Sequence, residues 1–382
     1  MTRRDGADGD SRWDKIAGPA KGPLSGIRVL EFAGVGPAPF AAMMLADMGA
    51  DVVEIVRPGT LPAAPTDYYL RGRRRITLDL KRAEDVACAI RLARLADVVV
   101  EGFRPGVMER LGLGPGDLAP QAPRLIYARM TGWGQDGPLA STAGHDITYI
   151  AIAGALHCMR GISGDPVAPL NLVGDLGGGA LYLIAGILAA LIDRARTGEG
   201  QVIDAAICDG VSHMLTPFYS LRAAGQWKGD AGKNVLDGGA HFYRTYRCSD
   251  GRYIAIGAIE PQFYSLMLRR LGLDPEEGPD QADSGGWKTW RDRIAERVAT
   301  KTRDEWAETF AGLDACVAPV LTLEEAMDHP HARKREIFAS ASASQAPAPS
   351  PRFSRYAHQA PPTPGTQLFS AGDIAASWMH PA

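Results

Sequence analysis

Ile27-Arg28-Val29-Leu30-Glu31-Phe32, then Gly34-Val35-Gly36-Pro37-Ala38-Pro39, then a segment carrying Met43, Met44, Leu45 and Met48, is the stretch that decides the fold. A short apolar run reads as a strand, the Gly/Pro cluster as a turn, and the methionine-bearing segment as a helix that Gly49 ends. Asp51 to Val56 is then a second strand. The alternation continues with a helix from about Glu84 to Leu95, the apolar run Val98-Val99-Val100, and a strand from Leu125 to Met130. Strands separated by helices pair in parallel and need helices on their faces. The expected class is therefore α/β, built on a parallel sheet with covering helices.

Farther along, Ala180 to Arg194 is a nearly continuous apolar helix, suited to an interior or a subunit contact. Gly225 to Gly239, rich in Gly and Asp, reads as a linker. Beyond it come a strand, Arg252 to Gly257, and a helix, Gln262 to Leu271, opened by Pro261 at its first position. With helices at Trp287–Val298 and Arg303–Phe310 these form a smaller α+β unit. Ser340 to Pro364 is rich in Ala, Ser and Pro and reads as an extended arm. The expected organisation is a disordered lead-in (1–20), the first part of the large domain (21–224), the small domain with its linker (225–320), and a C-terminal segment (321–382).

The chain has 382 residues with 46% hydrophobic and 22% charged, the profile of a globular protein with room for two or three domains. A formal net charge of -3 argues against a nucleic-acid binder. Cys88, Cys158, Cys208, Cys248 and Cys316 show no CxxC spacing, which points to reduced thiols and a cytoplasmic location. The most apolar run, Ala180 to Ile192, is only about 13 residues, short for a membrane span. The polar N-terminus has no signal-peptide core.

Gly144-His145-Asp146-Ile147-Thr148-Tyr149, Gly174-Asp175-Leu176-Gly177-Gly178-Gly179 and Ile259-Glu260-Pro261 carry the candidate chemistry. One imidazole and three carboxylates suffice to move protons at carbon. Each residue also has a plain structural role open to it. Asp146 and Asp175 could cap helices, and Glu260 fits a helix N-terminus. Three glycines after Asp175 weaken a helix, and close approach of a ligand would account for them. Arg71, Arg73, Arg74, Arg75, Lys81 and Arg82 form a cationic run, either a solvated face or a phosphate site, to which Arg57, Arg104 and Arg110 could add. Gly34-Val35-Gly36 with Glu54 suggests a dinucleotide fingerprint, but Pro39 stands where the third Gly belongs. No HExxH or GxSxG occurs, so neither a metal centre nor a serine hydrolase is supported.

Pro23 to Glu31, Ala50 to Ile55, Tyr127 to Gly134 and Gly198 to Asp204 resemble the family III CoA-transferase superfamily. Gly144-His145-Asp146, Gly174-Asp175 and Ala258 to Gln262 match its α-methylacyl-CoA racemase branch, and the similarity runs from about residue 21 to 356. The resemblance implies a Rossmann-like large domain completed by the C-terminal segment, which returns to it, plus a smaller α+β domain. It also implies an interlocked homodimer with the active site between the large domain of one subunit and the small domain of the other. It implies that His145 and Asp175 are the proton-transfer groups, supported by Asp146 and Glu260. CoA contacts carry over to Arg57, to Leu78, Asp79, Leu80 and Lys81, to Gly102, Phe103 and Arg104, to Arg110, and to the segment from Gly144 to Tyr149.

The expected reaction is a 1,1-proton transfer at the α-carbon of a 2-methyl-branched acyl-CoA, with no cofactor, CoA being part of the substrate. Backbone N–H groups near Asp175 are the expected donors to the enolate oxygen, worth on the order of 3 kcal/mol each. Glu260 from the partner chain would orient the imidazole. Related transferases instead use the matching Asp as a nucleophile, and a non-catalytic acyl-CoA-binding protein is a further alternative. Met43, Met44, Phe218 and Phe242 would either accept the acyl chain or belong to the core. No nucleic-acid or membrane partner is expected.

Overall fold

In a computed structural model, residues 22–160, 164–229, 232–278, 280–340, 345–356, 364 and 367–380 are described. The expected lead-in at 1–20 and part of the Ala/Ser/Pro arm lie outside them. The chain divides into two compact units: residues 1–153, 170–214 and 330–382 form the larger, and 154–169 with 215–329 the smaller. The boundaries thus fall at 215 and 329 rather than at 225 and 320.

The larger unit holds β1 (Arg28–Phe32), α1 (Pro37–Asp47), β2 (Asp51–Val56), β3 (Arg73–Thr77), α2 (Ala83–Ala93), β4 (Val98–Glu101), β5 (Ile126–Thr131), α3 (Asp146–Ile152), α4 (Leu181–Thr197), β6 (Val202–Ala206) and α5 (Ile207–Met214). The six strands pair in parallel in the order β3-β2-β1-β4-β5-β6. Val29, Leu30, Val53, Val98, Val99, Val100 and Ile126 are fully buried, as strands covered on both faces require. The chain returns to this unit at its end. Phe369 donates its N–H to the Arg75 carbonyl, and Trp378 on the last helix (Ala371–Met379) donates its indole N–H to Asp51.

Arg73, Arg74 and Arg75 of the cationic run lie on β3, which the sequence reading did not recognise as a strand, and ion pairing corrects the phosphate-site expectation for the arginines of the run. Side chains alternate across a strand, so Arg73 and Arg75 point inward while Arg74 points away. Arg73 meets Glu31 at 2.6 Å with both side chains wholly buried, and Arg75 meets Glu54 at 2.8 Å. Arg71 forms a two-pronged pair with Asp47, Arg74 pairs with Asp51, and Arg82 pairs with Glu84. Burial pushes the Glu31 carboxyl up to about 7 against the pull of Arg73. Glu54, the imagined ribose acid, is used inside the sheet.

Ahead of α4 lies a π-helical run, Leu172–Ala180, which places Asp175 inside a helix rather than at its cap. Its wider winding shows in the Leu176 N–H, which bonds the Asn171 carbonyl five residues back. The glycines here have a packing reason, contrary to the sequence reading. A β-carbon on Gly210 of α5 would lie 1.9 Å from the Gly178 carbonyl oxygen, so this helix crossing needs glycine. The continuous helical run Leu172–Thr197 is, by length and composition, long and apolar enough to cross a membrane, which corrects the estimate from Ala180–Ile192 alone. It buries Leu183, Ile184 and Ile187 within its unit while Leu172, Leu181 and Ile192 stay exposed.

The smaller unit carries β7 (Tyr243–Arg247), β8 (Tyr253–Gly257), α6 (Pro261–Leu271), α7 (Trp287–Val298), α8 (Arg303–Phe310) and β9 (Val317–Pro319), with the strands antiparallel in that order. Its core is aromatic, built on Phe242, Tyr264, Trp287, Trp290 and Trp306. The expected linker is a folded loop: buried Asn234 donates to the Lys228 carbonyl at 2.9 Å and to Asp237 at 2.8 Å.

Candidate active site

The strand order reverses between β1 and β4, and ligands of such sheets bind beyond the carboxyl ends of the strands at this reversal. The Gly34–Pro39 turn leaves β1 there and Gly102-Phe103-Arg104 leaves β4. A β-carbon on Gly102 would sit 3.4 Å from that of Ala38, so the two segments adjoin. Arg57 follows β2, Asp79 to Lys81 follow β3, and Gly132 follows β5, all at the same edge. Arg57, Lys81, Gly102, Arg104 and Arg110 are exposed. Leu78 is in the core at 5% exposure, so its side chain cannot touch a ligand, and only its backbone is left for the expected CoA contact.

The proton-transfer candidates are tied to this edge by short-range geometry. His145 is the N-cap residue of α3, with its backbone N–H bonded to the Thr148 hydroxyl at 3.0 Å and its ring exposed. Asp146, next in the chain, is buried and accepts the Asp175 N–H at 2.6 Å. One carboxylate thus joins the start of α3 to the π-helical run, fixing His145 relative to Asp175. That contact is the reason for Gly174: a β-carbon there would lie 2.3 Å from the Asp146 Oδ2. Asp146 is therefore a clamp rather than a cap.

The half-buried Asp175 carboxyl accepts a hydrogen bond from the Asn171 amide at 3.2 Å. Burial pushes its pKa up, Asn171 pulls it back, the charge of Asp146 adds to the rise, and His145 is close enough to draw it down. A carboxyl raised in this way is a stronger base than a solvated one, and it carries a proton closer to neutral pH, where it can serve in turn as base and acid. The expected enolate donors beside it are already committed. The Asp175 N–H goes to Asp146 and the Leu176 N–H to the Asn171 carbonyl. Asn171, four residues before Asp175 on one helical face, was missed because the helix was read as starting at Ala180.

Tyr149 is wedged between Gly132 and Gly144, where β-carbons would fall 2.1 Å and 2.5 Å from its ring, and it stacks edge-on against Trp133 at 4.7 Å. Arg104 is near enough to lower its hydroxyl pKa, against a rise set first by burial and then by Asp175. Gly132→Ala is expected to expel the ring, lower stability by about 1–3 kcal/mol, and shift the fluorescence of Trp133. Unchanged emission would show that the ring keeps its place.

Glu260 is the exposed N-cap residue of α6, before Pro261, and belongs to the smaller unit. Met43 and Phe242 are core residues, which removes them from the acyl-chain candidates. Phe218 stacks edge-on with Trp227 at 5.1 Å, and the two help line a cavity of 480 Å³ within the smaller unit. All five cysteines are free thiols. Among the described residues no group of three or more His, Cys, Asp or Glu could hold a metal ion.

A raised carboxyl and a neighbouring imidazole thus lie at the carboxyl edge of an α/β sheet, near its point of reversal. The chain belongs to CoA-transferase family III, whose model matches residues 24–367. It is 47% identical to the α-methylacyl-CoA racemase of Mus musculus over 315 residues, 82% of each chain, and 46% identical to that of Homo sapiens over 83% of each. Among solved structures it is similar to a CAIB/BAIF family protein from Brucella suis, with a TM-score of 0.78 at 27% identity, covering 94% of this chain and 100% of that one.

Proposed function

We propose that the protein interconverts the 2R and 2S epimers of 2-methylacyl-CoA thioesters by 1,1-proton transfer. The observation that carries this reading is the placement of His145 beside a raised Asp175, within one site, in a chain 46–47% identical to two α-methylacyl-CoA racemases. One of the two groups removes the α-hydrogen, and the electron pair of that C–H bond moves onto the thioester oxygen as an enolate. The other group then donates a proton to the opposite face, and the carbonyl re-forms. The roles exchange with the epimer bound. Every proton and electron pair is accounted for without a cofactor.

The family's transferase chemistry is the competing reading, in which Asp175 is a nucleophile that becomes acylated and then carries CoA. The two separate cleanly. Mass spectrometry of the Asp175 peptide after incubation with an acyl-CoA and borohydride detects a trapped carboxyl-derived adduct only if a covalent intermediate forms. A racemase leaves Asp175 unmodified while chiral chromatography shows both epimers. A modified Asp175 with an unchanged epimer ratio would establish the transferase.

CoA phosphates would be met by the exposed cations at the carboxyl edge rather than by the ion-paired arginines of β3. Arg104→Ala is expected to raise KM for the thioester more at low salt than at high salt. An equal rise at both would remove Arg104 from phosphate contact. The assembly proposed is an interlocked homodimer in which Glu260 of a second copy orients His145. The exposed Leu172, Leu181 and Ile192 suit such a contact. Co-expressed His145→Ala and Glu260→Ala chains should then regain activity in mixed dimers, because one site keeps both residues. No recovery would contradict a shared site. The dispersed thiols suit a cytoplasmic enzyme.

A further inference from the structure

We propose that Tyr69 is a positioning residue for Asp175, holding the wall of the site against the carboxyl group. The inference rests on the reading of Asp175 as a proton-transfer group. Tyr69 lies outside every motif that marks the site in sequence. It follows the irregular segment after β2, four residues before Arg73.

Its hydroxyl donates to the Gly36 carbonyl at 2.9 Å, and its ring leans on Phe40 at 5.8 Å. Its own carbonyl accepts from the Arg73 guanidinium at 2.5 Å, and the same guanidinium donates to the Pro39 carbonyl. Arg73 is held in turn by Glu31. The turn that leaves β1 is therefore gripped at two points, by buried Arg73 at Pro39 and by the half-exposed phenol at Gly36.

Gly36 has φ 75 and ψ -125, backbone that a side chain rarely tolerates, and a β-carbon there would lie 3.2 Å from the Asp175 Oδ2. The apex of the turn thus faces the carboxyl oxygen, with no room for a side chain between them. The closeness also runs the other way: burial first, and then the charge of Asp175, push the Tyr69 hydroxyl up to about 12. The phenol stays protonated and keeps donating to Gly36. Losing the hydroxyl frees the apex, lets water reach Asp175, and reduces the burial that raises its pKa.

The test compares wild type with Tyr69→Phe, which keeps the ring on Phe40, in pH profiles of epimerisation alongside thermal melts. The expected result is a fall in kcat of about tenfold, as sub-ångström misplacement of a reacting group produces. KM and Tm should stay unchanged, and the acid limb of the kcat profile should move to lower pH. A wild-type kcat with an unmoved limb overturns the proposal. So does a fall in kcat that comes only with a lower Tm and leaves the limb in place. If wild type itself shows no epimerisation, the racemase reading fails alone. The latch is then read from the Asp175 carboxyl titration by ¹³C NMR, assigned against Asp175→Asn. The same downward movement in Tyr69→Phe supports the latch, and an unmoved titration overturns it.

Discussion

Asp175→Asn is expected to slow epimerisation on the order of 10³-fold, within the range that one acid–base group supplies. The substitution keeps the shape of the side chain and removes its capacity to take or give the proton. The fold should survive, because the contact from this residue to Asp146 is made by the backbone N–H. The residual chemistry discriminates further. With Asp175 disabled, His145 can still remove and return the hydrogen on its own face, so one epimer exchanges with solvent without inverting. His145→Ala should show the converse for the other epimer. If His145→Ala retains full activity while Asp175→Asn abolishes CoA transfer to a free acid, Asp175 is a nucleophile and the imidazole is incidental.

Arg73→Met is expected to destabilise the protein by about 3–5 kcal/mol, the usual cost of stranding one member of a buried ion pair. Glu31 and Arg73 have no exposed side-chain surface, and the guanidinium also satisfies the Tyr69 and Pro39 carbonyls. The pH dependence has a definite sign. Burial raises Glu31 to about 7 in the folded protein, so its stability contribution is present below its ordinary range and lost as pH rises through about 7. Without Arg73 burial is unopposed, the folded pKa climbs further, and the deficit of the variant widens above neutral pH. Adding Glu31→Gln should recover part of the loss. Urea unfolding at pH 5 and pH 8 measures both effects. A variant as stable as wild type, but with weakened and salt-sensitive thioester binding, would restore Arg73 to the phosphate site.

Much of the architecture was legible because its signals are local. The β1–α1–β2 segment announced a parallel sheet through apolar runs, a Gly/Pro turn and Gly49, and the helices Trp287–Val298 and Arg303–Phe310 lie where their periodicity placed them. The arginine run was misread because a count of cations ignores strand alternation. Only the pairing of β3 with β2, and of β2 with β1, shows that Glu54 and Glu31 wait on the inward side. The π-helical run was invisible because its glycines look like helix breakers until Gly178 is seen against Gly210. His145, Asp146 and Asp175 were found as chemistry-bearing types, but the clamp through Asp146 depends on a contact across 29 residues. Tyr69 had no sequence signal at all, since its partner is a backbone carbonyl.

The most direct measurement incubates one pure 2-methylacyl-CoA epimer with the protein in deuterated water and follows the α-carbon by NMR. Inversion through opposed acid and base groups predicts deuterium at that carbon in both epimers, approaching equal amounts. Recovery of the starting epimer unlabelled, with CoA passed to an added carboxylic acid, would contradict it.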